Sequence, residues 1–352
     1  MIHYTFFEVT KNMQTLKLGK TGLIVTKPAF GALPIQRQSM DEAVRILRRA
    51  YEGGIRYFDT ANSYTDSEEK IGRALSDVRS DIVISTKSQG RDYKTAARHI
   101  QMSLERMKTD YIDLFQFHMT SSWDEVDNGA YEAALEAKAK GWVRHIGVTS
   151  HSIRFSEEAV ASGRFETLQY PFSYLSTPEE FALVRSCLEA DMGFIAMKSL
   201  AGGLLATARA VHAFMREQDG VVPIYGIQTR SELEQWLALA EEDPAMDEEL
   251  QAVIDKDKAE LGGQFCRGCG YCMPCPKGIE IRNSARMDML IRRSPWKPYF
   301  TPEWQAKMNL IKECLECGRC KSKCPYHLDT PNVLKYMLKD YWEFYEAHKA
   351  EL

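Results

Sequence analysis

Cys266, Cys269, Cys272 and Cys275, closed by Pro276, form one tight run of thiols, and Cys314, Cys317, Cys320 and Cys324, closed by Pro325, form a second. These are eight of the nine cysteines in the 352-residue chain. Thiols two or three residues apart, ending on a Cys-Pro step, are the spacing with which thiolates hold [4Fe–4S] clusters. A cubane needs four thiolates on four irons, so the chain must wrap it tightly, and Gly268, Gly270 and Gly318 supply backbone freedom for that. The chemistry would be the movement of single electrons. Structural zinc is the alternative, since paired C-x2-C units also make tetrahedral sulfur sites and eight thiols suffice for two; the Cys-Pro endings favour iron–sulfur. A disulfide framework is set aside. Met1 to Lys11 has no basic start and only a short, broken apolar stretch, so no secretory signal is expected, and no apolar run approaches the ~18 residues of a membrane span. A reducing, cytoplasmic location is the expectation. Cys187 stands alone in a helical pattern, Phe181 to Leu188, and reads as a small buried hydrophobe.

The rest of the chain must position a different chemistry. Residues 15 to 240 alternate short β-branched runs with longer helical patterns, which predicts parallel strands joined by helices. Strands are expected at Lys27–Phe30, Tyr57–Phe58, Ile82–Ser85, Leu114–Phe117, Val143–Val148, Thr167–Gln169, Gly193–Ala196 and Val221–Ile224. Helices are expected at Asp41–Glu52, Ser67–Leu75, Thr95–Met107 and Ala130–Lys140. Strand plus helix, eight times, is an α/β fold of the (β/α)8 TIM-barrel type, which uses ~250 residues. A hairpin from Thr15 to Val25 should plug its bottom. Barrel chemistry sits at the C-terminal strand ends and the loops beyond. Those positions carry Asp59 with Tyr64 in its loop, then Lys87, His118, Thr149-Ser150-His151, Gln169, Lys198 after strand seven and Gly226 after strand eight. A lone lysine is usually solvated and a lone histidine usually structural; four chemically competent side chains on one rim point to a functional site.

In order along the chain, Phe58-Asp59-Thr60-Ala61, Tyr64, Ser67-Glu68, Ser85-Thr86-Lys87, Gln116-Phe117-His118 and Ile146-Gly147-Val148-Thr149 resemble the aldo-keto reductases. With the thiol-rich tail, the whole chain resembles aldo-keto reductases carrying a C-terminal two-cluster ferredoxin-like domain. The domains are then expected at 13–255, the barrel, and 256–352, a small, mainly α-helical iron–sulfur domain with helices over Ile281–Ile291 and Glu303–Lys312. Its closing helix would be capped by Thr330 and run through Val333–Tyr345, with the aromatics of that helix packing on the barrel. The resemblance implies a catalytic tetrad of Tyr64 as acid, Lys87 lowering its pKa, Asp59 holding Lys87, and His118 on the carbonyl oxygen. It also implies hydride from NADPH. In two-cluster ferredoxins the fourth cysteine of each run serves the other cluster. This implies Cys266, Cys269, Cys272 and Cys324 for one cluster, and Cys314, Cys317, Cys320 and Cys275 for the other. The first run has two residues, Met273 and Pro274, before its last cysteine where the ferredoxin pattern has three.

The cofactor positions depart from the family. Thr149-Ser150 replaces a Ser-Asn pair for the nicotinamide amide, Gln169 matches, and Met197, before Lys198, replaces a stacking aromatic. After strand eight, beyond Gly226, Gln228 and Trp236 stand where a basic residue and an asparagine are usual, with Arg230 able to meet a phosphate. Two designs follow. NADPH reduces an aldehyde or ketone in the family manner, or the two clusters deliver two successive electrons from ferredoxin or another donor while Tyr64, Lys87 and His118 supply the proton. A third reading makes the barrel a non-catalytic docking module of a redox complex. Trp123 and His151 are candidate pocket walls. The formal charge of -4, with 45 basic and 49 acidic residues mixed throughout, gives no nucleic-acid footprint. The basic segment Arg292 to Lys297 is where a small electron-transfer protein is expected to dock.

Overall fold

The structure, a computed structural model, describes residues 13–261, 265–293 and 295–352. Met1 to Lys11, where no leader is expected, and Ser294 of the basic segment lie outside the described residues. The chain divides into two compact units, one of residues 1–199 and 209–250, the other of 200–208 and 251–352. The main division thus falls at 250/251 rather than at the expected 255/256, and a short segment after the seventh barrel strand belongs with the second unit.

The first unit opens with β1 (Gln14–Lys17) and β2 (Ile24–Lys27), an antiparallel hairpin. Eight further strands follow: β3 (Ala29–Gly31), β4 (Tyr57–Asp59), β5 (Val83–Ser88), β6 (Ile112–Phe117), β7 (Val143–Thr149), β8 (Thr167–Pro171), β9 (Gly193–Met197) and β10 (Val221–Gly226). All pair in parallel and close into a barrel in chain order, β10 returning to β3. Pro28, which has no N–H to give a ladder, divides β2 from β3, so the expected strand Lys27–Phe30 is two elements. Leu18 and Val25 of the hairpin region join Tyr57, Val83, Leu114, Ile195 and Val222 in one buried apolar cluster, which plugs the N-terminal end of the barrel.

Between the strands lie α1 (Met40–Glu52), α2 (Ser67–Leu75), α3 (Tyr93–Met107), α4 (Ala130–Ala139), α5 (Ile153–Ser162), α6 (Pro178–Glu189), α7 (Ala208–Arg216) and α8 (Arg230–Glu242). Their starts follow from local chemistry. Ser39, Asp92 and Ser152 accept hydrogen bonds from backbone N–H groups of the first turn, and Thr177 and Thr229 form capping boxes with Glu180 and Glu232. One apolar stripe per helix then faces the strands, as with Ala43, Ile46, Leu47 and Ala50 of α1. Cys187 is fully buried on α6, and burial pushes its thiol up to about 12.

Among the described residues, every element of the second unit is helical: α9 (Glu248–Leu261), α10 (Ile281–Ser284), α11 (Met287–Arg293), α12 (Pro302–Asn309), α13 (Arg319–Ser322) and α14 (Thr330–His348). The helix expected over Ile281–Ile291 is broken at Ala285-Arg286. Asp329, not Thr330, precedes the last helix, and the Thr330 hydroxyl turns back to the Leu328 carbonyl at 3.3 Å. The aromatics of α14 find partners within their own unit: Phe300 stacks on Tyr341 at 4.6 Å and on Phe344 at 5.7 Å, and the Tyr341 hydroxyl donates to the Tyr299 carbonyl at 2.8 Å.

Candidate functional site

Adjacent parallel strands bring the polar residues of the barrel to one rim. Asp59 ends β4 in register with Ser85 of β5, Lys87 pairs with Gln116 of β6, and Thr149 of β7 pairs with Gln169 of β8. Lys87 Nζ donates to Asp59 Oδ2 and to the Thr60 carbonyl, both at 2.6 Å, and Ser85 Oγ donates to Asp59 Oδ1 at 2.7 Å. Lys87 is 1% exposed and Asp59 3%, so this is a buried ion pair whose remaining lone pairs are also served. Burial lowers the Lys87 pKa, and the charge and hydrogen bond of Asp59 oppose that fall.

The loop after β4 is laid along β5 before it turns. Thr60 N and Asn62 N donate to the Ser85 and Lys87 carbonyls, each at 2.9 Å, and Tyr64 N closes a turn on the Ala61 carbonyl at 3.0 Å. Ser67 then anchors α2, its Oγ donating to the Ala32 carbonyl at 2.9 Å. These contacts hold the Tyr64 ring centroid 5.4 Å from Lys87 Nζ and 5.8 Å from the His118 ring, with the two rings nearly perpendicular at 77°. Burial pushes the Tyr64 phenol well above its ordinary value, and the Asp59 charge adds to the rise. This reverses the expectation that Lys87 lowers it. The ammonium is already answered by a carboxylate 2.6 Å away, so its field at the phenol is largely cancelled.

His118 follows β6 and is 8% exposed. Burial first, then the charges of Lys87 and Arg91, pull its pKa down to about 3, so the ring is neutral near neutrality. Its Nδ1 is buried without a hydrogen-bond partner among the described residues. Its backbone is clamped: His118 N donates to the Ser88 carbonyl at 2.9 Å, and Arg91 Nη2 donates to the His118 carbonyl at 2.8 Å. Arg91 in turn pairs with Glu125 at 2.6 Å. Behind the tetrad, Glu68 is 1% exposed, accepts from Thr86 Oγ1 at 2.7 Å and pairs with Arg106 at 3.3 Å. His151 is buried after Ser150. Trp123 is loop packing: it stacks on Phe165 at 6.1 Å, and its Nε1 donates to Glu158 at 3.0 Å.

In the second unit the two thiol runs interleave. A partly open cavity is lined by Cys275 from the first run and Cys314, Cys317 and Cys320 from the second, with Cys272 also at its wall. Apolar Ile279, Ile281, Leu315 and Leu334 complete it. Cys266 feels the charges of Cys269, Arg286 and Cys324, and Cys272 those of Cys266, Cys269 and Cys320. Burial pushes the Cys272 thiol up to about 12. Gly268 and Gly318 turn the loops with φ of 61° and 69°, where a side chain would strain the backbone. Among the described residues no three His, Cys, Asp or Glu groups converge on one point that could hold a single ion. Four thiolates on one zinc would stand only about 3.8 Å from one another. Thiols from both runs around one cavity are the donor set that a multi-iron core would use.

A sequence model of the Aldo/keto reductase family matches residues 29–242, more than half of the chain. The chain belongs to the aldo/keto reductase family. A 4Fe-4S dicluster domain matches residues 265–329, within the second unit. The uncharacterized oxidoreductase YqkF of Bacillus subtilis is 31% identical over 208 residues, which are 55% of this chain and 67% of that protein. Aldo-keto reductase AFTS1 of Alternaria alternata is 27% identical over 241 residues, 54% of this chain and 66% of that one. Methylglyoxal reductase DkgB of Salmonella typhi is 33% identical over 144 residues, 39% and 53% of the two chains. The chain thus spans about two thirds of the first two relatives' length and about half of the third. In fold it is similar to aldo-keto reductase AKR11C1 from Bacillus halodurans, holo form, with a TM-score of 0.62 at 23% identity, covering 69% of this chain and 96% of that one.

This aldo-keto reductase departs from the family where a nicotinamide cofactor would lie. Ser150 Oγ is used twice, donating to the Thr120 carbonyl at 2.7 Å and accepting from Ser152 N at 3.0 Å. Thr149 Oγ1 accepts from Met119 N at 2.8 Å, and Gln169 Oε1 accepts from Gln116 Nε2 at 3.0 Å. Met197 ends β9 half-buried against the barrel core, and Lys198 follows in the left-handed region with φ of 57°. Gly226 ends β10 in the open, near Pro34. Arg230 is drawn to Glu234 at 3.4 Å and Gln228 accepts from Arg37 at 3.1 Å. Trp236 is 4% exposed and stacks on Tyr225 at 3.7 Å, so it is core and not an adenine contact. As arranged here, these residues do not fit an NADPH cradle of the family type. The basic segment also differs from expectation. Arg292 forks onto Asp340 with both contacts at 2.7 Å, Arg293 pairs with Asp257 and Glu260, and Lys297 meets the Glu351 carbonyl, so these charges are spent inside their own unit. Arg91 and Arg286 leave no signal in the sequence, because each clamps a backbone carbonyl that no spacing reveals, His118 for Arg91 and Gly202 for Arg286.

Proposed function

We propose that the barrel reduces the carbonyl of a small aldehyde or ketone at Tyr64, Lys87, Asp59 and His118, with its electrons linked to two [4Fe–4S] clusters in the second unit. The observation that carries this is the buried Lys87–Asp59 pair at 2.6 Å beside the Tyr64 and His118 rings. Reduction places negative charge on the carbonyl oxygen, so a donor must meet that atom. His118 is neutral, and a proton on Nε2 leaves the partnerless Nδ1 as a bare acceptor, cheaper to bury than an unanswered N–H. Nε2–H then donates to the carbonyl oxygen and orients it. Tyr64 Oη, held in its protonated form by burial, gives its proton to the developing alkoxide. The phenolate left behind faces the Lys87 ammonium, 5.4 Å from the ring centroid, and is stabilised by the part of its field that Asp59 leaves uncancelled.

Cys266, Cys269, Cys272 and Cys324 would hold one cluster, and Cys275, Cys314, Cys317 and Cys320 the other, each supplying electrons singly. NADPH, when bound, would supply both electrons together as hydride. The Ser150 hydroxyl, already donating to Thr120 and accepting from Ser152, and the buried Trp236 favour the second design, in which two successive electrons come through the clusters from a one-electron protein donor of the ferredoxin class in the cytoplasm, and the two protons the alcohol also needs come from Tyr64 to the oxygen and from solvent to the carbon. Anaerobic turnover of an aldehyde panel with NADPH, and separately with dithionite-reduced ferredoxin, tests this. Turnover by NADPH after the clusters are stripped would sink the cluster-fed design; turnover only with the reduced protein donor would sink the NADPH design. Tyr64→Phe is expected to lower both by roughly 10²- to 10⁴-fold, and unchanged rates would remove the tetrad from the mechanism. A non-catalytic docking role predicts no turnover with either donor.

A further inference from the structure

Arg286 lies in the break between α10 and α11, and its guanidinium is pressed against the loop of the first thiol run. A Cβ on Gly268, between Cys266 and Cys269, would stand 3.0 Å from Arg286 Cζ, a contact that only a glycine permits. Nη1 donates to the Gly202 carbonyl and Nη2 to Asn283 Oδ1, both at 3.2 Å. Nε is buried without a partner. Among the described residues no carboxylate lies within ion-pair distance of Arg286. Its neighbours show that this is particular to the position, since Arg292 and Arg293 each have carboxylate partners. A half-buried guanidinium without a counter-ion is costly, and the chain keeps one here.

Resting on the reading of Cys266, Cys269, Cys272 and Cys324 as cluster ligands, we propose that Arg286 is the half-buried counter-charge of that cluster and holds its reduction potential above that of the cluster on the second run. A [4Fe–4S] core gains one negative charge when it takes an electron, so a fixed cation beside it stabilises the reduced form. Among the described residues, the cations that line the second site's cavity, Arg319 and Lys277, are exposed, as is Cys317, and water screens their charge. Electrons entering at the exposed second cluster would then run downhill to the first. Arg286 is a positioning residue for electrons and touches no substrate.

The test is an anaerobic redox titration of the whole protein, followed by visible absorbance and electron paramagnetic resonance. The wild type is expected to show two separated one-electron couples. Arg286→Gln should lower the upper couple by about tenfold in its reduction equilibrium, 59 mV for one electron, and leave the lower one in place. Arg286→Lys, which keeps the charge while losing the fork, should retain most of the shift. Arg319→Gln should move neither couple by more than about twofold. If Arg286→Gln loses iron, Asn283→Asp keeps the arginine and sets a carboxylate against Nη2, and the same downward shift is expected. Unmoved couples in a variant with full iron and sulfide content would overturn the proposal and leave Arg286 as an anchor for the Gly202 segment. A wild type without cluster absorbance would overturn the cluster reading itself.

Discussion

The barrel site and the thiol-bearing unit treat buried charge in opposite ways. In the barrel, Lys87 is answered inside the protein: Asp59 and the Thr60 carbonyl meet its ammonium at 2.6 Å, and Ser85 satisfies the far oxygen of Asp59. The site is complete before any substrate arrives, which is what preorganised electrostatic catalysis requires. In the second unit Arg286 has no carboxylate within ion-pair distance among the described residues, and burial raises the thiols of Cys266, Cys272 and Cys320. That unit is written for an anionic guest of metal and sulfide. One region stores its order in its own side chains; the other borrows it.

The largest effect should come from taking away what is borrowed. Stripping iron with a chelator under anaerobic conditions is expected to unfold the second unit, because ligand binding there is folding free energy. Limited proteolysis would then cut beyond residue 261 while the barrel stays resistant. Loss of the barrel's thermal transition together with the clusters would break the comparison. Next comes Lys87→Met, which leaves Asp59 buried and unpaired. Breaking such a pair costs about 3–5 kcal/mol, read from urea unfolding, and turnover should vanish with it. The double variant Asp59→Leu with Lys87→Met should recover most of the stability and none of the activity. Tyr64→Phe separates the two roles: turnover should fall roughly 10²- to 10⁴-fold, the span attributed to a positioned acid, with stability nearly unchanged. A loss of stability as large as that of Lys87→Met would mean that Tyr64 is structural.

The same contrast explains what the sequence made legible. The barrel was readable because strand ends alternate with helices at fixed periods, and α2 lies at the expected Ser67–Leu75. The tetrad positions could be named because each ends a strand or opens the loop after it. What escaped were partners set by closure of the chain upon itself. Ser150 could not be known to be saturated until Thr120 lay against it, and Trp236 could not be known as core until Tyr225 stacked on it. Arg286 and Gly202 are 84 positions apart. Arg292 and Arg293 looked like a free basic patch because Asp340, Asp257 and Glu260 are remote in sequence. The direction of the Tyr64 shift escaped for a related reason: the motif named the cation, but only the fold shows how deeply the phenol is buried, and that burial, with the Asp59 charge, raises it.

The smallest predicted effect sharpens the barrel half of the comparison. His118 is held neutral with its pKa near 3, against about 6.5 when unfolded. Between those values the unfolded chain binds a proton that the folded one refuses, so stability falls as pH falls. From pH 6.5 to 5 the loss attributable to His118 is about 2 kcal/mol, at 1.36 kcal/mol per unit. His212, brought down to about 4 chiefly by burial, adds a slope of the same sign. His118→Asn should flatten the pH dependence of urea unfolding by about one proton while the His212 contribution persists. Activity should tell the same story from the other side. With His118 neutral and the Tyr64 phenol raised, carbonyl reduction should show no acid limb near pH 6.5 and no alkaline limb below about pH 10. A limb at 6.5 that disappears in His118→Asn would mean that the imidazole titrates in the working site. The barrel would then, like the second unit, acquire its final electrostatics only from what it binds.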